Sequence, residues 1–277
     1  MSSRPSRPAT AAAAAARAAA AQQQQRRERV IRAVGIVVVL AVLAGIVFLF
    51  VRSRANAPAP VPTDSSAPLP AGVMPATGAQ PYGWTYRWTP GAPVLQLWED
   101  FQCPVCGQLE RQNGAAIEAL ADAGKVTLVY RPATFLDLNL RNGSSNRAVA
   151  AWGCAIDAGR GIEYHNAVFA AQPAREGDGF TDQQLVAFGT TAGITGAARD
   201  TFDRCVAAGT YRSWPANSQA QFEYDGIAGT PTAVLNGTEL PRQTLFDMTA
   251  LTAAVAAAGP GTTATPAGTP SSSVSPS

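Results

Sequence analysis

Two cysteines, Cys103 and Cys106, stand two residues apart in the stretch EDFQCPVCGQLE, with Pro104 and Val105 between them and Glu99 and Asp100 just upstream. Residues of these types at this spacing can do three things. They can exchange a disulfide with another protein, supply half of a metal site, or staple a short loop. A cysteine at the start of a helix faces unsatisfied backbone N–H groups and the positive end of the helix dipole, and both stabilise a thiolate. Cys103 is then the exposed nucleophile with a lowered pKa. Cys106, one turn further in, is the better-buried resolving thiol. Pro104 has no N–H and fits the first turn without loss. A metal site would need two more good ligands. The single histidine, His165, has no partner ligand nearby in sequence, and Cys154 and Cys205 do not form a second close pair. No metal and no cofactor are therefore expected, and His165 is read as a packing or capping residue. A Cys103–Cys106 staple would close too small a loop to stabilise much.

Such a pair needs a strand to carry it and a helix to receive it. Val94 to Trp98 reads as a buried strand running straight into Cys103, after a half-exposed strand marked by the alternation of Trp84, Tyr86 and Trp88. From Cys103 onward LERQNGAAIEALADAG reads as one helix, with Leu109, Ile117 and Leu120 at helical spacing and Gly124 as its stop. KVTLVYRP is a strand ended by Pro132. A helical block follows to about Tyr224, and Thr181 to Gln184 fits a capping box. TAVLNG is a strand, Asn236-Gly237 a tight hairpin turn and TEL a short return strand. Thr244 to Ala258 reads as a closing helix. This order makes a small sheet covered by helices, with a helical insertion in the middle.

The order, together with EDFQCPVC at 99–106, AVAAWGCAIDAG at 148–159, EYHNAVFAAQP at 163–173, FDRC at 202–205 and GTPTAVLNG at 229–237, resembles the DsbA-like thiol–disulfide oxidoreductases. Those are α/β proteins of thioredoxin fold with a helical insertion. The resemblance implies a cis peptide between Thr230 and Pro231. Pro231 would lie against the cysteine pair, and the Thr230 backbone, with Pro104 and Val105, would meet an extended substrate segment. It also implies that an acid near the resolving thiol relays its proton. Asp100 stands where relatives often carry one, with Glu99 as the neighbouring candidate. Many strongly oxidising relatives have His at the position of Val105, so the chain departs from them there. With Cys103 and Cys106 taken as a pair, Cys154 and Cys205 are left as a structural disulfide, and two free buried thiols are the alternative. The partners implied are cysteine-containing secreted or envelope proteins and a quinone-linked membrane oxidase that restores the disulfide. A reductase or isomerase of the same fold and a non-enzymatic scaffold module are the competing readings.

The compartment follows from the flanks. Ala33 to Val51 is uncharged and almost wholly apolar, about 28 Å long as a helix and so matched to a bilayer core. It is read as a single transmembrane anchor in contact with lipid. A cleaved signal peptide ending at Ala55-Asn56-Ala57 is the rival, but the run is too long for a signal core. Arg17, Arg26, Arg27, Arg29 and Arg32 precede the span closely, against Arg52 and Arg54 after it, which sets the N-terminus in the cytoplasm and the cysteines outside. The expected organisation is a low-complexity cytoplasmic tail (1–32), the anchor (33–51), a Pro-rich linker (52–81), the thioredoxin-fold domain (82–259, insertion about 145–224) and a disordered tail (260–277). The net charge of +2 gives no reason to expect nucleic acid as a partner.

Overall fold

The central strands of the sheet are rich in apolar residues and almost fully buried. In the computed structural model, which describes residues 63–261 and Gly45, they are β2 (Val94–Glu99) and β3 (Thr127–Pro132). The two pair in parallel, Val94 with Thr127 through Glu99 with Pro132. A parallel pair needs a crossover, supplied by a continuous helical run. That run is α1 (Pro104–Leu109), a π turn (Glu110–Gly114) and α2 (Ala115–Asp122). Every residue of β3 is buried, as expected of a strand covered on both faces. β1 (Trp84–Arg87) pairs antiparallel to β3, β4 (Thr232–Leu235) pairs antiparallel to β2, and β5 (Thr238–Glu239) closes a hairpin on β4, giving the order β1-β3-β2-β4-β5. Asn236 and Gly237 both take positive φ (47° and 84°), the geometry a two-residue hairpin turn demands.

Between β3 and β4 lie six helices: α3 (Phe135–Leu140), α4 (Ser144–Asp157), α5 (Gly161–Ala170), α6 (Asp182–Thr191), α7 (Gly196–Ala208) and α8 (Ser213–Tyr224). The capping box at the start of α6 is formed, Gln184 N donating to Thr181 and Thr181 N donating to the Gln184 side chain. Cys154 on α4 and Cys205 on α7 are joined as a disulfide. Trp152 and Trp214 are fully buried, and each indole N–H finds a carbonyl, Gly161 O and Tyr82 O, both at 2.8 Å.

Three features depart from the sequence expectation. The helix after Cys103 is not a uniform α-helix, because the π turn interrupts it at Glu110. The closing helix is two, α9 (Arg242–Phe246) and α10 (Met248–Ala257), because Asp247 leaves helical geometry and its carboxylate caps the N–H groups of Thr249 and Ala250. Residues 64–81, expected as spacer, pack onto the domain. Val73 bridges to Trp84, Met74 and Gln80 are buried, and Asp64 exchanges backbone hydrogen bonds with the Asn217 side chain. Their few apolar side chains close the sheet edge beside β1. Among the described residues no helix is long and apolar enough to cross a membrane. Ala33–Val51, apart from Gly45, lies outside them, as do 1–32 and the tail from 262.

Candidate active site

Register places the site. Trp98 of β2 lies opposite Thr232 of β4, so continuing both strands brings the Thr230–Pro231 peptide beside the loop that follows β2. That peptide is cis. Cys103 occupies the N-cap of α1 with extended backbone (φ −74°, ψ 117°), and Pro104 follows in the first turn. The Cys103 thiol reaches the Thr230 carbonyl at 3.5 Å. Cys106 is 0% exposed. Cys103, expected to be exposed, is only 6% so, because the Thr230–Pro231 segment covers it. Pro104 and Val105 are the members of the motif that face outward, Val105 at 36%.

The two sulfurs are driven apart in acidity. A hydrogen bond from Cys106 brings the Cys103 pKa down to about 6 against the opposing effect of burial, helped by Thr230 and by the backbone N–H groups of Cys106 and Val105. Burial pushes the Cys106 thiol well above its ordinary value, and the charges of Glu99 and Cys103 push it further. One sulfur is thus a thiolate at neutral pH and the other holds its proton.

The loop is held from the insertion. Gln172, just beyond α5, donates to the carbonyls of Phe101 and Cys103, both at 2.9 Å. Gly107 makes room for it, since a Cβ there would come within 2.1 Å of Gln172 Oε1. The sequence reading gave no role to Gln172, although it lies in the stretch EYHNAVFAAQP that carries the resemblance.

Asp100 is fully buried and turned into a structural network. Its carboxylate accepts from Gln102 N, Leu136 N and Ser145 Oγ, tying the loop to α3 and α4. Burial raises its pKa to about 7. Its carboxylate makes no hydrogen bond to either cysteine among the described residues; its backbone carbonyl accepts from Cys103 N at 2.9 Å. The acid whose charge is felt at the sulfurs is Glu99, whose pKa burial pushes up to about 8. Glu99 Oε2 lies 3.1 Å from His165 Nε2, and His165 sits among the rings of Phe101, Tyr130, Trp152 and Phe169. Glu110, the first residue of the π turn, brings a third titratable group, raised by burial and then by Glu99. Sequence separation hid this cluster, and a charged residue beside an expected helix face gave no sign of turning inward.

A cysteine pair opening a helix, with a cis-proline segment laid against it from the neighbouring strand, defines a dithiol site of the thioredoxin-fold class. A profile of the thioredoxin family matches residues 89–253, and the chain belongs to that family. Among solved structures it is similar to the MdbA protein of Actinomyces oris, a thiol-disulfide oxidoreductase, at 24% identity and a TM-score of 0.55, over 72% of this chain and 100% of that one. It is similar to BdbD from Bacillus subtilis at 17% identity and 0.54, over 68% and 96%. The MdbA protein of Corynebacterium diphtheriae, also a thiol-disulfide oxidoreductase, matches at 17% identity and 0.51, over 68% and 94%. No curated protein matches the chain.

Proposed function

We propose that this chain is a membrane-anchored, extracytoplasmic thiol–disulfide oxidoreductase that introduces disulfides into secreted or envelope proteins. The observation that carries the reading is the split between a stabilised Cys103 thiolate and a buried, protonated Cys106. A substrate thiolate attacks the Cys103 sulfur of the Cys103–Cys106 disulfide. The S–S bond breaks, Cys106 leaves with the electron pair and takes a proton, and a mixed disulfide links substrate to Cys103. A second substrate thiolate attacks the substrate sulfur of that bond and releases the Cys103 thiolate. The substrate has lost two electrons and the protein has gained them. A Cys103 that leaves easily as thiolate favours this direction. A membrane oxidase that passes the electrons to quinone completes the cycle. The similarity to proteins described as thiol-disulfide oxidoreductases supports the reaction class. The arginine imbalance around Ala33–Val51 supports the extracytoplasmic setting.

The test is equilibration of the purified protein with glutathione buffers, reading the fraction of Cys103–Cys106 disulfide. An oxidase gives a reduction potential above about −180 mV. A value near about −270 mV would make the protein a reductase instead. Failure to exchange with glutathione at any ratio would leave only a scaffold.

A further inference from the structure

Glu99 ends β2, Glu110 opens the π turn and His165 sits in the middle of α5. The fold brings one donor atom from each to within 4.8 Å of the others. Glu99 Oε1 and Glu110 Oε1 are buried and have no hydrogen-bond partner among the described residues. The Glu110 side chain lies over Gly114, where a Cβ would stand 2.3 Å from its Oε2. The glycine therefore leaves the carboxyl its place.

The histidine is set for a ligand by a chain of hydrogen bonds. Asn166 Nδ2 donates to Glu118 Oε1 at 2.9 Å, which fixes the Asn166 amide with its oxygen toward His165 Nδ1, 3.1 Å away. Nδ1 then carries the ring proton and Nε2 keeps its lone pair, aimed at Glu99 Oε2. A metal-binding histidine is held in this way, its second nitrogen donating to an outer acceptor. Donor atoms from three groups thus lie within 4.8 Å of one another, where a cation could take up their lone pairs once the carboxyls lose their protons. The 3.1 Å between Nε2 and Oε2 is close to the roughly 3.3 Å edge of a tetrahedral zinc site with ordinary bond lengths. Two carboxylates with one divalent ion are neutral overall, which makes burial affordable.

We propose that Glu99, Glu110 and His165 form a binding site for a divalent cation of the zinc class, separate from the Cys103–Cys106 pair. Two carboxylates and one imidazole are borderline-hard ligands suited to Zn2+. Glu110 is half-buried and Asn166 exposed, so the side of α2 and α5 lies nearest to solvent. The ligands must lose protons to bind, so affinity rises with pH.

The experiment uses the full chain, carrying no added histidine tag, with Cys103–Cys106 oxidised so that free thiolates take no metal. Cobalt titration should give one bound ion with visible absorption, displaced by zinc, and tighter at pH 8 than at pH 6. Glu110→Gln should weaken binding by more than about tenfold, the loss that removing even an outer partner brings. His165 is the single histidine of the chain. Selective 15N-histidine labelling of the wild-type protein therefore reads the site without any substitution, and zinc should shift Nε2 while leaving Nδ1 protonated. Absence of binding, or binding that leaves Nε2 unmoved, overturns the proposal and leaves the cluster a proton store. Equal affinity in Glu110→Gln would show a surface carboxylate site and would overturn it too.

Discussion

Cys103 and Cys106 are three positions apart and chemically opposed. The difference comes from where each stands on α1, because the first faces free N–H groups and the second faces core. Alkylation of Cys103 in the reduced protein should be half-maximal near pH 6, read by mass spectrometry after a timed pulse of reagent. Cys106 should stay unmodified until the pH is far higher. A midpoint for Cys103 near the ordinary thiol value would remove the asymmetry on which exchange depends. Glu99 gives a second titration. Its pKa rises from 4.5 to about 8 on folding, so the native state binds the extra proton between those values. Its stabilising contribution is present below about 4.5 and is lost as pH rises through about 8. Asp100 acts in the same sense up to about 7. In the disulfide form, where the two thiols do not titrate, the melting temperature should fall across this window, and Glu99→Gln should make the fall shallower. A melting temperature that rises there would contradict the burial of these acids. At this scale the cysteines, Thr230 and Pro231 were legible, because each belongs to a contiguous motif. Glu110, His165 and Gln172 were not, since only the folded chain chooses their partners.

Among the elements, the insertion holds the active-site loop through one side chain. Gly107→Ala would drive Gln172 from its place, and two carbonyls would lose their donor. A loss of about 1–3 kcal/mol is expected in urea unfolding, with slower exchange at Cys103. Unchanged stability and rate would mean that Gln172 swings aside freely. The Cys154–Cys205 disulfide acts elsewhere. It spans 51 residues of sequence and ties α4 to α7, so replacing both cysteines with Ala should cost up to about 4 kcal/mol while leaving alkylation at Cys103 intact. Full stability without it would show that helix packing alone holds the insertion. Strand and helix order was readable from periodicity and turn residues. The π turn was not, because Glu110 continues the helical pattern on paper and turns inward only when Gly114 makes space. The break at Asp247 was readable in principle as a cap but stands just ahead of an alanine-rich run that masks it.

For the whole molecule, the Cys154–Cys205 disulfide agrees with the proposed setting outside the reducing cytoplasm. Protease added to intact spheroplasts should remove the domain that carries Cys103, and protection until the membrane is lysed would reverse the proposed orientation. The start of the folded region was misjudged from composition, since residues 64–81 look like linker but lie on the sheet edge. Cys103 is only 6% exposed, with its sulfur beneath the Thr230 carbonyl. A sulfur so covered would be reached most readily by a cysteine on an extended segment laid against the Thr230 backbone. A cysteine already wound into a helix or sunk in a core is less able to reach it. If the proposed oxidase function holds, oxidation is a race against the client's own folding, and slow-folding clients would gain the most from it.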